Sequence, residues 1–583
     1  MAGPSAYAFE SFEFRAPGAD AALLADLRSA SLLVAAQSEK VSDPQDLFAA
    51  ALAEYGRLVG ALYAAGHYSP VVRVLVDGRE AAGIPPLDAP KTIRQIIVEV
   101  QPGPAFAFSR ARVAPLTPDT ALPDGFVVGG VARSGLIKDA VAAGVDGWRE
   151  AGHAKAAPGA QSLTADHRNA TLSAEVALTP GPRLRFGPLT VTGQQRMREA
   201  RVRAIAGLPE GEAFSPRDLA RSAERLRRTG VFRSVTLTED ENITRPDLLG
   251  ITATVVEDKR RRYSFGAELA TLDGLSVTGS WLHRNLLGGA ERLEIKGNVA
   301  NIGAQESGED YALGLTLSRP ATFTADTTLG FHVEVAHLDE ADYLADVAGI
   351  GMTLSHFFTD TLTGTAGLEY SISGVDDLTG DYTYRNLSLP LGAIWDTRDV
   401  KLDAHKGIFV EAEVMPFQGF GTTDSGVRMK LDARAYRSFG SERPVVFAGR
   451  VQAGAVLGSS LLGTPRDYLF YSGGGGTVRG QPYQSLGVNV LRADFKIGGT
   501  AFLGASAEVR AKVTDKIGIV GFVDAGHVGA LDFFDDLGGF HAGAGLGVRY
   551  DTGFGPIRVD LAGPVAGDTG KGVQLYVGIG QSF

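Results

Sequence analysis

The sequence predicts a chain in two parts: three tandem α+β modules, then a membrane-spanning antiparallel β-barrel of about sixteen strands. Three observations predict it. A helix–glycine–strand pattern occurs three times before residue 258. From residue 259 onward apolar residues alternate with glycine or charge at a period of two. No apolar run reaches the roughly 18 residues of a spanning helix, which leaves a barrel as the way across a bilayer.

At 583 residues the chain exceeds one ordinary domain. A net charge of −11 with no arginine-rich stripe argues against phosphate-backbone binding, so no nucleic-acid partner is expected. Absence of cysteine removes disulfides, thiolate metal sites and thiol catalysis, and leaves every compartment open. The N-terminus, MAGPSAYAFE, lacks the basic start and apolar core of a signal peptide. If the protein is exported, its leader has been removed from this sequence.

The modules come first. LVGALYAAGHYSPVVRVLV turns at Gly66, VDGWREAGHAKAA at Gly152, and SAERLRRTGVFRSVTLTE at Gly230. Glycine suits the left-handed position just past a helix end. In the first helix Phe48, Leu52, Tyr55, Val59 and Leu62 mark one face. The third starts with Ser215 as a cap, Pro216 in the first turn and Asp218 at the positive end of the dipole. IIVEVQPGPAFAF and AEVALTPGPRLRF then close the first two units in register. The boundaries expected are 1–103, 104–182, 183–258 and 259–583. A repeated scaffold without chemistry is the favoured reading, with open sheet edges able to accept an extended peptide.

The barrel strands follow. In VQLYVGIGQSF, Val573, Leu575, Val577, Ile579 and Phe583 face one way, and Gln574, Tyr576, Gly578, Gly580 and Ser582 the other. PIRVDLA sets Ile557, Val559 and Leu561 against Arg558 and Asp560. AFLGASAEVRAKV opposes Leu503, Val509 and Val513 to Glu508, Arg510 and Lys512. A soluble sandwich shares this period; strand count and the final aromatic, Phe583, placed for an interfacial girdle, favour the barrel.

GGGGTVRGQPYQSLG (473–487) is a loop between strands near 443–456 and 498–514. The strand IGIVGFVDAGHV puts Phe522, Asp524 and Gly526 on the lumen side, and Glu508 stands on the neighbouring strand. The expectation is that the loop folds into the lumen and Arg479 pairs with Asp524 and also Glu508, the glycine run allowing close packing on the wall. An exposed loop with a solvated arginine is the plainer alternative.

Val478–Arg479–Gly480, F-x-D-x-G at 522–526, D-T-R-D at 396–399 followed by Gly407, and G-P-I-R-V-D at 555–560 resemble the outer-membrane assembly and two-partner secretion superfamily. With three modules before the barrel and YQSLG after V-R-G, the resemblance is strongest to its TamA branch. It implies periplasmic POTRA domains, a sixteen-stranded outer-membrane barrel, and a weakly closed seam between strands near 262–270 and 573–583. It also implies Val478, Arg479, Gly480 and Tyr483 as the lumen loop motif, a TamB-like inner-membrane-anchored periplasmic partner, and unfolded outer-membrane protein clients such as autotransporters. Gln481 stands where that family usually has an aromatic.

The function expected is assembly without covalent chemistry, with a client strand adding to the seam. Gly578 and Gly580 either let the last strand bend or serve close packing. The basic run at 259–262 is read first as a solvated face, with anionic lipid as the other reading. A secretion pore and a passive porin are the rival readings. No cofactor and no enzyme are expected: H-E-x-x-H, G-x-S-x-G and G-K-[ST] are missing, and G-x-G-x-G at 543–547 lies within a strand.

Overall fold

The computed structural model describes residues 11–583 except 246, 272–273, 305–306, 441–444, 491–494, 534, 536–537 and 554. The N-terminal decapeptide read for a leader lies outside them. Two compact units are present: residues 1–189 with 209–220 and 239–251, and residues 190–208, 221–238 and 252–583.

Three small sheets precede the barrel. The first orders Ser11–Arg15, Gln95–Gln101, Val71–Val76 and Arg79–Glu80; the second orders Ala107–Ala114, Thr171–Thr179 and Ala157–Asp166. Strands Arg185–Thr192, Leu248–Glu257 and Phe232–Arg245 make the third. Helix Pro44–Ala65 ends at Gly66 with φ +93°, and Gly152 and Gly230 also have positive φ. Asp218 N–H donates to Ser215 Oγ at 3.3 Å, closing the start of helix Pro216–Arg228.

The PGP stretches explain the first repeat. Phe106 N–H donates to Gly66 O and Leu184 N–H to Gly152 O. The histidine after each glycine meets the PGP glycine carbonyl, His67 Nδ1 with Gly103 O at 2.9 Å and His153 Nδ1 with Gly181 O at 2.8 Å. One joint is built twice.

The buried stripe of Pro44–Ala65 is Leu47, Phe48, Ala51, Glu54, Leu58 and Leu62, so Leu52, Tyr55 and Val59 lie at its margin, a correction to the face read from sequence. A carboxylate interrupts the apolar row and hides its phase. Glu54 Oε2 accepts from Leu32 N–H at 2.8 Å at the start of the neighbouring helix, and among the described residues Oε1 has no hydrogen-bond partner.

The second unit is dominated by a closed antiparallel barrel. Its strands are numbered here β1 Arg261–Ala270, β2 Gly274–His283, β3 Arg292–Ile302, β4 Asp310–Arg319, β5 Thr327–Glu340 and β6 Tyr343–Phe357. β7 is Leu362–Asp377, β8 Gly380–Ser388 with Leu391–Asp396, β9 Gly407–Gly421, β10 Gly426–Phe439 and β11 Val445–Leu457. β12 Ala501–Lys512, β13 Ile517–Gly529, β14 Gly539–Thr552, β15 Gly555–Ala566 and β16 Gln574–Ile579 complete sixteen. Pro390 interrupts β8 because it has no N–H to give the ladder. Register against β7 is the same on both sides of it, Ser388 opposite Glu369 and Leu391 opposite Ala366.

The faces follow the period-two reading. Val523 is 52% exposed and Ile519 51%, while Phe522 between them is 4%. All four residues of the basic run 259–262 are exposed. Near the junction Arg225 and Arg228 both bind Asp326 in the β4–β5 turn, and Arg228 lies 4.2 Å over the Phe357 ring.

Burial pushes the Glu54 carboxyl above its ordinary range, against the lowering effect of the N–H donors. A raised folded pKa contributes stability that is complete below the unfolded pKa and is lost as pH rises through the folded one. Glu54→Gln should therefore leave amide exchange in helix Pro44–Ala65 unchanged near about pH 4 and slow it several-fold near about pH 8. Equal exchange of both proteins at the higher pH would refute this.

Candidate functional site: a lumenal arginine and a narrow seam

Between β11 and β12, residues 458–490 turn back into the barrel, where Val478 and Gln481 are 0% exposed and Arg479 is 2%. The arginine meets three carboxylates. Its Nε and Nη2 bind Asp524 Oδ2 and Oδ1 at 2.7 and 3.0 Å, a bidentate fork. Nη1 lies 2.7 Å from Glu508 Oε1, outside hydrogen-bonding alignment, and donates to Asp560 Oδ2 at 3.4 Å. The Phe522 ring centroid is 3.5 Å from Cζ. Two wall arginines complete the set, Arg510 Nε donating to Glu508 at 2.8 Å and Arg549 binding Asp560. Three guanidinium groups thus face three carboxylates, all buried, and a buried charge without such a partner is strongly destabilising.

Close approach here is made by single glycines. Gly480 has φ +89°, and a Cβ on it would lie 2.7 Å from the Gly563 backbone. On the wall, a Cβ on Gly526 would strike Ser472 and Val478, and one on Gly543 would strike the Arg479 carbonyl. The run 473–476 meets the wall only in its second half, and no Cβ there would collide with it. Gly473 is tight against the loop's own Pro482 carbonyl, a Cβ on Gly475 would lie in ordinary contact with Tyr576 and Glu268, and a Cβ on Gly476 would meet nothing within 4 Å, although its carbonyl accepts from Arg450 Nη1 at 3.0 Å.

Gln481 replaces aromatic packing with hydrogen bonds. Its Nε2 donates to Ala542 O at 2.8 Å and Ala566 O at 3.1 Å, and its Oε1 accepts from Thr569 Oγ1 at 2.9 Å. Tyr483 is 42% exposed, with its hydroxyl 3.4 Å from Glu340. Sequence reasoning missed a second anchor. Arg466 is 1% exposed, its Nε donates to Asp377 Oδ2 at 2.8 Å, and its guanidinium lies 5.2 Å from the Tyr382 ring and 5.8 Å from the Tyr384 ring. The available signal was the same as for Arg479, a lone arginine in a long loop.

The loop also touches the seam. Gly480 N–H donates to the Tyr576 hydroxyl of β16 at 3.1 Å. β1 pairs with β2 along its length, Arg261 opposite His283 through Ala270 opposite Gly274. Among the described residues its strand pairing with β16 is limited to Leu269 with Val577 and Ala270 with Tyr576. Arg558 of β15 reaches past β16 to bind Glu268 of β1. Gly578 makes that crossing possible, since a Cβ there would lie 3.0 to 3.4 Å from the guanidinium.

Two seam assignments need correction. β16 ends at Ile579, and Gly580 lies beyond it with φ +88°. Phe583 is 7% exposed and does not join a lipid-facing girdle; it packs inside against Ala404, Tyr436 and Ala448. The positive φ turns the chain inward, so alternation stops before the aromatic.

A model described as the Omp85 superfamily domain matches residues 285–583, and a POTRA model, described as surface antigen variable number repeat, matches 184–258. The outer membrane protein assembly factor BamA of Nitratidesulfovibrio vulgaris is 24% identical over 405 residues, covering 67% of this chain and 49% of that protein. BamA of Neorickettsia risticii is 22% identical over 399 residues, covering 65% and 52%. The chain spans about half the length of these curated relatives. A crystal structure of BamA from Haemophilus ducreyi lacking POTRA domains 1–3 aligns with TM-score 0.61 and 18% identity, over 82% of this chain and 100% of that one. CdiB from Acinetobacter baumannii aligns with TM-score 0.54 and 10% identity, over 82% and 90%. These likenesses are of fold.

Arg479→Ala leaves three buried carboxylates short of a cation and should cost the docked loop about 3–5 kcal/mol while the barrel persists. Protease cleavage within 458–500, with unchanged heat-modifiable migration of the barrel, is the readout. Arg479→Asp combined with Asp524→Arg should restore part of the protection. A loop that stays protected in Arg479→Ala would defeat the docking account.

Proposed function

The chain belongs to the Omp85 superfamily, with its barrel in the outer membrane and POTRA sequence on the periplasmic side, and from that premise we propose that it assembles outer-membrane proteins at the β1–β16 seam. One observation carries the reading. Among the described residues, the edge of β1 from Arg261 to Glu268 has no strand pairing with β16, although its other edge is fully paired with β2. In hydrocarbon an unpaired strand edge is costly, so an incoming extended segment gains by adding to it. The work is non-covalent: the edge templates a client strand, and client hairpins follow until the new barrel closes on itself. No cofactor and no bond-making step are invoked.

The finer proposal is a TamA-type subunit with three POTRA domains. It would act with a TamB-like, inner-membrane-anchored partner on autotransporters and other outer-membrane proteins. The V-R-G loop, the YQSLG after it and three helix-and-sheet modules support this. Two rival readings, a polypeptide secretion pore and a passive porin, need an open lumen. The docked Arg466 and Arg479 anchors weigh against both.

Leu269→Cys with Val577→Cys joins residues that already face each other across the seam. Oxidised in liposomes, this protein should lose client insertion, and reduction should restore it. Full insertion by the oxidised form would sink the seam mechanism. In a planar bilayer the wild type should conduct little and Arg479→Ala more; large constitutive conductance of the wild type would favour a pore.

A further inference from the structure

The five residues from Ile579 to Phe583 take an unusual path. Gly580 N–H still donates to Pro556 O of β15 at 2.7 Å. Gln581 N–H donates instead to Leu402 O at 3.1 Å, in the periplasmic turn between β8 and β9. Its side chain is held on both sides, Nε2 donating to Asp403 Oδ1 at 2.9 Å and Oε1 accepting from Arg549 Nε at 2.8 Å. Phe583 O accepts from Arg510 Nη2 at 3.0 Å.

The turn receiving this tail is itself firmly built. Asp399 Oδ1 accepts N–H groups from Val400 at 3.0 Å, His405 at 2.9 Å and Lys406 at 3.2 Å. His405 lies 3.7 Å from Asp399 and 3.8 Å from Asp403, and Asp396 grips Arg398 through both oxygens at 2.9 Å. Gly407 has φ +108°, with no room for a Cβ beside Thr397 O. The D-T-R-D motif and its glycine thus shape a rigid turn whose far end, Leu402 and Asp403, holds Gln581.

We infer that the 397–406 turn is a clamp that holds the tail of β16 away from β1, and that its release lets β16 lengthen along the free edge of β1. The inference rests on the seam reading above and adds the element that sets how much of the seam is open. Register supports a second, extended state. Continuing from Leu269–Val577 and Ala270–Tyr576, an extended tail would set Ser582 opposite Ser264 and Phe583 opposite Tyr263. Phe583 would then rejoin the lipid-facing set of Val573 and Ile579, beside Tyr263, which is 62% exposed. The alternation in VQLYVGIGQSF fits the extended state at every odd position except Gln581, the residue whose side chain the clamp holds, and Gly580 fits the folded-in one. In the clamped state Gln581 N–H is satisfied by Leu402 O; in the extended state the β1 edge takes the tail's backbone bonds, so neither leaves it unpaired.

The chain has no cysteine, so introduced pairs report cleanly. In the full chain in lipid nanodiscs, Ser264→Cys with Ser582→Cys measures the extended state. Residues directly opposite across a ladder lie within disulfide reach. Cross-link yield should be low with the clamp intact and rise several-fold with either Asp403→Ala or Gln581→Ala. Leu269→Cys with Val577→Cys should cross-link fully in every variant, reporting a folded upper seam. Equal Ser264–Ser582 yield with and without both clamp variants, or high yield with the clamp intact, overturns the clamp while leaving the seam. Failure of the Leu269–Val577 pair in the parent protein overturns the seam reading and the clamp with it.

Discussion

A barrel wall of glycine and charge is stable only if its interior is filled by groups that match it. On the β12–β15 wall the match is ionic. Glu508, Asp524 and Asp560 face Arg479, Arg510 and Arg549, and all six side chains are nearly free of solvent. Only Arg479 comes from the loop, so the loop supplies the charge that makes the wall neutral. Its docking therefore answers a buried electrostatic demand of the wall.

That demand reaches the seam through short contacts. The same loop turn that places Arg479 gives Gly480 N–H to Tyr576, and Tyr576 lies opposite Ala270 in the brief β1–β16 pairing. Arg549, which balances Asp560, also holds Gln581 of the tail, and Arg510, which balances Glu508, holds Phe583. Each wall arginine thus serves both the ionic cluster and the end of the last strand. Loop docking and tail position thus share residues, with no longer chain of contacts between them.

What the sequence discloses follows from which physics is local. Period two is fixed by the pleat, so the outward Val523 and inward Asp524 can be read from one strand alone. The meeting of Arg479 with Glu508 and Asp524 is legible for the same reason: a lone loop cation faces carboxylates of known parity on adjacent strands. Asp560 has equally clear parity, but it stands on β15, and how far a loop reaches across strands is set by barrel curvature and not by any one segment. Phe583 was assigned by continuing an alternation that Gly580 ends, and the residues that hold it inside lie some 180 positions away in the β8–β9 turn or on other strands. In the first module, Glu54 breaks the apolar row, and its purpose, holding the start of a neighbouring helix, is tertiary.

Gly578 and Gly580 show why identical residue types in one strand need separate explanations. Gly578 keeps ordinary strand geometry and is required for space, because the Arg558 guanidinium crosses over it to Glu268. Gly580 is required for conformation, because a positive φ turns the chain out of the strand. The first supports an ion pair that ties β15 to β1 across β16; the second removes the residues that would otherwise continue pairing with β1. One glycine therefore helps hold the upper seam together while its neighbour keeps the lower seam apart. On the seam reading, a seam tied at one end and open at the other presents part of the β1 edge at rest, and the tied end, Leu269 against Val577, has to part before a client strand takes the whole edge.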